Sequence, residues 1–162
     1  MDLLELRPTV LALADALRSR GWRLATAESC TGGLIAAACT QVPGSSDWFE
    51  RGFVTYSNAA KTDLLGVAAS LIETQGAVSE AVALAMVQGA LQRAPVDLAL
   101  AVTGIAGPGG AVPGKPVGTV WLAWGTAGRV SAERLQLSGD RDAVRRASLG
   151  VALQRLTEAA SA

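Results

Sequence analysis

"DLALAVTGIAGPGG", residues 97–110, decides how the rest of the chain is read. Residues 97–102 are almost wholly apolar and show no polar–apolar alternation. A strand of that kind is buried on both faces, as in a parallel sheet covered by helices. The run then passes into glycine and proline, and residues 103–118, "TGIAGPGGAVPGKPVG", read as a loop rather than regular structure. In an open α/β sheet, ligands gather beyond the carboxyl ends of the strands. Thr103 and Gly104 therefore open one candidate site loop, although glycine and proline would equally serve a tight connection.

Upstream, Leu3, Leu6, Val10, Leu13 and Leu17 recur at helical spacing over residues 3–20, with Arg18 and Arg20 before Gly21. Residues 22–27 read as a strand, residues 34–40 as a small-residue helix broken at Pro43-Gly44-Ser45-Ser46, and residues 52–56 as a second strand. Asn58 is placed to cap a helix over residues 59–65, and Ser79-Glu80 begins a longer one that ends at Arg93. Downstream, residues 117–124 and 129–137 form a hairpin through "GTAG", and Asp140 starts the last helix. The pattern predicts an α/β fold: one three-layer α/β/α domain over residues 1–162, with a mixed sheet and a C-terminal β-hairpin followed by a helix.

Composition excludes several function classes. Fourteen acidic residues balance fourteen basic ones, which removes the electrostatic case for a nucleic-acid partner. The chain has no histidine and only two cysteines, Cys30 and Cys39, so the common zinc-site ligand sets and a disulfide framework are unavailable. No run approaches the roughly 20 apolar residues of a membrane span, and no signal segment stands at the N-terminus. No metal, no cofactor, no membrane partner and a cytoplasmic setting are the expectations.

"TAESCTGG", residues 26–33, leads from a strand through hydroxyls and glycines into a helix. Free N–H groups at the helix's positive end would suit a phosphate or a developing oxyanion, and Ser29 or Thr31 could equally act as a simple cap. The run is neither a Walker motif nor the dinucleotide fingerprint. Lys61 falls in the first turns of its helix, where the dipole and partial burial both lower a lysine's pKa. It is one of only two lysines, against twelve arginines, and a neutral lysine can serve as the base of a Ser–Lys pair. Tyr56 and several serines lie near it in sequence. Arg141, Arg145 and Arg146 could bind a phosphate or pair with Asp140, Asp142 and solvent. Asp47 and Glu50 read as a solvated turn rather than a metal site.

Taken together, "AESCTGG", "GSSDWFERGFVTYSNAAK", "LLGV", "GAVSE", "TGIAGPGG", "KPVGTVW" and "GDRDAVR" resemble, in order and over roughly residues 5–157, the C-terminal domain of the competence/damage-inducible CinA proteins, the nicotinamide-nucleotide amidase family. Ala59 stands where relatives often carry an acid, a solvent-facing change expected to be neutral. The resemblance is to the stand-alone form, without the N-terminal domain of full-length CinA proteins. It implies hydrolysis of the amide of nicotinamide mononucleotide to nicotinate mononucleotide and ammonia by a metal-independent serine-type amidase, a homodimer acting on a small nucleotide. Within the matching motifs, Ser46 and Ser29 both qualify as nucleophile. The expected arrangement has Ser46 attacking, Lys61 activating it and Tyr56 relaying or orienting the proton. Ser29, Thr31, Gly32 and Gly33 would then line the oxyanion or substrate pocket, with Asn58, Thr103, Gly104, Arg141 and Arg145 completing the substrate contacts. Cys30 is expected to be structural, because no histidine can pair with it. A non-catalytic nucleotide sensor and a tightly folded interaction domain are the competing classes.

Overall fold

The computed structural model describes residues 2–162. Its centre is a five-stranded mixed sheet in the order β2-β1-β3-β4-β5. The strands are β1 (Leu24–Glu28), β2 (Phe49–Val54), β3 (Leu98–Gly104), β4 (Thr119–Thr126) and β5 (Arg129–Gln136). β1 runs parallel to both β2 and β3, whereas β4 and β5 are antiparallel additions. The helices are α1 (Arg7–Arg20), α2 (Leu34–Thr40), α3 (Asn58–Leu65), α4 (Ala69–Gln75), α5 (Glu80–Arg93) and α6 (Arg141–Ser161).

The two-residue period of β3 sorts the layers. Leu98, Leu100 and Val102 face one side, where Val10, Leu13 and Leu17 of α1, Ile35 of α2 and Leu149 and Leu153 of α6 cover them. Ala99 and Ala101 face the other, joined by Ala25 and Ala27 of β1 under Val82, Met86 and Ala90 of α5 and Leu65 of α3. Large residues on one face and alanines on the other let α5 lie close to the sheet. β1 is buried throughout and β3 is buried from Leu98 to Thr103, as the apolar run 97–102 predicts for a strand covered on both faces.

Boundaries moved where tertiary pairing decides them. β1 begins at Leu24, not Trp22, because the Arg23 N–H is held by Asp97 Oδ2 at 2.9 Å rather than by a strand neighbour. β2 starts three residues before Gly52, where β1 supplies a partner for Phe49. β3 runs on to Gly104, because β4 pairs Gly104 with Val120. The first helical stretch is a 3-10 turn over Leu3–Leu6 before α1. The cap of α3 is Ser57, whose side chain accepts from the Ala60 N–H at 3.0 Å, and Asn58 is already helical. α4 had no start signal: Ala68 precedes it with no capping side chain, and only Ile72 is buried.

Candidate active site

Three parallel strand ends meet at one edge of the sheet. Glu28 pairs with Val54 on one side and Val102 on the other, so the residues that follow all three emerge together. The Ser29 N–H donates to Val102 O at 3.0 Å and the Thr55 N–H to Glu28 O at 2.9 Å, which continues the ladder one residue past the strands. α3 begins three residues after Thr55, and Lys61, one turn in, reaches back over this edge. Its Nζ lies 3.1 Å from Ser29 Oγ, 3.1 Å from Thr55 O and 3.3 Å from Tyr56 O. A pocket of about 250 Å³ opens beside this pair, lined also by Asn58, Thr103, Gly104 and Arg141.

Lys61 is 1% exposed, and no aspartate or glutamate lines the pocket. Desolvation of the ammonium therefore holds its pKa below the ordinary 10.5. A neutral Nζ can donate to the two backbone carbonyls while its lone pair accepts from the Ser29 hydroxyl. The arrangement is that of a serine poised against a base. The neighbouring Cys30 thiol is pushed up to about 11, chiefly by burial, and stays protonated.

The sequence reading placed Ser46 against Lys61, and the structure corrects that. Ser46 sits exposed in a 3-10 turn, Ser45–Asp47, that precedes β2, whereas Lys61 follows the other end of the strand. The length of β2, about 17 Å at strand rise, lies between them. Tyr56 is at the site, but its hydroxyl bonds neither Ser46 nor Lys61. Its carbonyl accepts from Lys61, and its hydroxyl accepts from Arg141 at 2.8 Å. Arg141 also donates to Gly107 O at 2.8 Å, so it ties the glycine loop to Tyr56 across the pocket mouth.

The expected anion cradle at α2 is already filled, and the filler is Glu28. Its buried carboxylate accepts from the Ile35 N–H at 2.9 Å, the Ala36 N–H at 3.0 Å and Thr31 Oγ1 at 2.7 Å. Thr31 is thus spent on Glu28 and does not line the pocket. Gly32 (φ +59°) and Gly33 (φ +107°) form the left-handed turn into α2 and also stay outside it. Arg145 grips the backbone of the same turn, at Cys30 O (3.1 Å) and Thr31 O (3.2 Å), and Arg146 pairs with Asp142 at 2.7 Å. None of these four residues, nor Arg146, touches the pocket. The missed role is that of Glu28; its signal was an acid placed just ahead of a hydroxyl-glycine turn into a helix.

Removing that carboxylate orphans three donors at once. Glu28→Ala should destabilise the fold by about 3 kcal/mol or more, and Glu28→Gln, which keeps one acceptor oxygen, by roughly half as much. Denaturant unfolding measures both. A loss under about 0.5 kcal/mol for Glu28→Ala would mean that the turn holds Ser29 without it.

Comparison with known proteins gives matches over nearly the whole chain. The profile of the CinA C-terminal domain matches residues 7–160. "Nicotinamide-nucleotide amidohydrolase PncC" of Pseudomonas putida is 56% identical over 146 residues, 90% of this chain and 91% of that protein. The protein of the same name from Escherichia coli K12 is 52% identical over 145 residues, 89% and 88% of the two chains. The crystal structure of competence/damage inducible protein CihA from Agrobacterium tumefaciens superposes with a TM-score of 0.90 at 44% identity, covering 98% of this chain and 95% of that one.

Proposed function

The chain belongs to the CinA C-terminal domain family, and on that premise we propose that it hydrolyses the carboxamide of nicotinamide mononucleotide to nicotinate mononucleotide and ammonia, with Ser29 as nucleophile and Lys61 as base. Two relatives, 56% and 52% identical over about nine-tenths of the chain, are named for that substrate class. The observation that carries the mechanism is the 3.1 Å contact between Lys61 Nζ and Ser29 Oγ at the pocket edge.

In this reading neutral Lys61 takes the Ser29 proton as Oγ attacks the carboxamide carbon. The tetrahedral oxyanion collapses, and Lys61 returns the proton to the leaving nitrogen, which departs as ammonia. Water, deprotonated by the same amine, then attacks the acyl carbon; the C–Oγ bond breaks, the amine returns its proton to Ser29 Oγ, and the acid leaves and ionises to the carboxylate. Arg141, the one arginine lining the pocket, is the group for the nucleotide phosphate. Arg145 is left out of substrate contact, because it does not line the pocket and its bonds hold the turn after Ser29.

Release of ammonia from nicotinamide mononucleotide by the purified protein, with Ser29→Ala as the blank, tests the reading. Binding without turnover would instead support a nucleotide sensor. Prolonged chelation should leave the rate unchanged. The chain has no histidine, and the described residues contain no cluster of three metal-binding side chains. Loss of activity with chelator and its return with one added divalent ion would overturn the serine-amidase chemistry.

A further inference from the structure

The pocket treats the two ends of the proposed reaction unequally. Around Lys61 the charged and titratable groups can be followed element by element. The turn after β1 contributes the Cys30 thiol, which is protonated, and β1 itself contributes Glu28, whose carboxylate is turned into α2. The head of α6 contributes Arg141 at the mouth and Arg145 on the turn. Tyr56 offers a carbonyl to Lys61 and its hydroxyl to Arg141. Asp63 on α3, Glu73 on α4 and Glu80 on α5 are exposed, and Arg93 lies at the far end of α3, on Leu65 O. Every partner of Lys61 Nζ is therefore a neutral oxygen, and its ammonium form has no anion beside it.

A carboxamide is uncharged at the reacting carbon, whereas the carboxylate left after hydrolysis is an anion at the same place. That carbon was bonded to Ser29 Oγ, itself 3.1 Å from Nζ, so a carboxylate oxygen there stands within hydrogen-bond reach of the amine. We propose that this pocket is a proton-linked carboxylate site, in which an aromatic carboxylate binds as an ion pair with protonated Lys61 and closes the enzyme in a product-held state. The proposal rests on the reading of Ser29 and Lys61 given above, and it adds that the product is a pH-dependent inhibitor.

Linkage fixes the direction. A carboxylate that favours the ammonium must, reciprocally, bind more tightly to the enzyme whose Lys61 is protonated. Below the pKa of Lys61 in the free protein the amine already carries its proton, and affinity is flat. Above that pKa each bound carboxylate takes up a proton, and affinity falls by up to about tenfold per pH unit. The base is active when neutral, so inhibition weakens over the pH range in which turnover strengthens.

Calorimetric titration of Ser29→Ala, in two buffers of different ionisation enthalpy, reads the proton directly. The ligands are nicotinate mononucleotide and nicotinamide mononucleotide, which share a phosphate, and the free acid nicotinate with its amide. Between the second phosphate pKa near 6 and the ordinary lysine value of 10.5, once the pH exceeds the lowered pKa of Lys61, the acids should take up a proton that the matching amides do not. Lys61→Met should abolish the difference. In the wild-type protein, product inhibition of ammonia release should weaken as pH rises across the same range. If the amide nucleotide binds but its acid binds with no extra proton and no pH dependence, the proposal fails while the substrate assignment stands. If neither nucleotide binds yet nicotinate still takes up its proton, the substrate assignment fails and the carboxylate site stands. If neither acid binds at all, the proposal fails.

Discussion

Ser29→Ala should lower kcat for ammonia release by at least ~1,000-fold, the scale on which loss of a covalent nucleophile is felt, while Ser46→Ala stays within about twofold of wild type. The contrast follows from position. Ser29 Oγ is against Lys61 Nζ at the carboxyl edge of the sheet, and Ser46 is on the exposed turn at the other end of β2. Both substitutions remove only an oxygen. Ser29 loses hydrogen bonds to Lys61 and Tyr56 O, the latter long at 3.5 Å, so the alanine variant should fold normally. An active Ser29→Ala protein with a dead Ser46→Ala counterpart would return the nucleophile to the "GSSDW" motif and would require a rearranged β2. Steady-state rates with both variants, alongside circular dichroism, decide it.

Lys61→Met should reduce turnover by at least ~100-fold, the lower range for a lost general base. Lys61→Arg should be nearly as inactive, because a guanidinium stays protonated and cannot accept the serine proton. The methionine variant also carries a stability signature. The unfolded chain holds the lysine proton up to about the ordinary 10.5, whereas the folded protein releases it at lower pH because the ammonium is desolvated. The unfolded state therefore binds more protons between those two values, and wild-type stability rises with pH across that window. Below it, the cost of burying the charge is constant and at its full value. Methionine does not titrate, so the stability of Lys61→Met relative to wild type should be most favourable below the window and should decline as pH climbs through it. The wild-type rate should rise with pH over a limb that ends below the usual lysine range. Flat rates and a pH-independent stability difference would mean that Lys61 titrates like an exposed lysine.

How much of this was legible in the sequence depended on whether local pattern or tertiary partner set the outcome. The apolar strand 97–102, the glycine-rich loop beyond it, the hairpin and the last helix could be read because burial and turn chemistry are written residue by residue. Lys61 could be singled out because lysine is rare here and stands at a helix entrance. The partner of Lys61 could not. Ser46 and Ser29 sit in equally suggestive motifs, and only the parallel pairing of β1 with β2 shows that one strand end holds Ser29 with Lys61 while the opposite end holds Ser46. The same limit applies at α2. A helix entrance rich in hydroxyls and glycine looks open to a phosphate until Glu28 is seen folding back into it. Arginines on α6 were read as one group, yet Arg141 faces the pocket, Arg145 the turn and Arg146 an aspartate one turn earlier. One turn of helix separates these fates, and composition cannot distinguish them.

The bonds that Arg141 and Arg145 make also impose an order in time. Ser29 and Lys61 lie 32 residues apart, while Tyr56 and Arg141 are separated by 85 and Cys30 and Arg145 by 115. Both arginines belong to the 21-residue helix α6, which follows every strand of the sheet in chain order and is therefore synthesised after them. Contacts this distant in sequence close only after the entropy of the intervening loops has been overcome. Ser29 and Lys61 can thus come together on a nascent chain that still lacks Arg141, and the pocket mouth is finished only when α6 docks. A chain interrupted before residue 141 would carry the serine and the lysine without the strap that joins Tyr56 to the glycine loop.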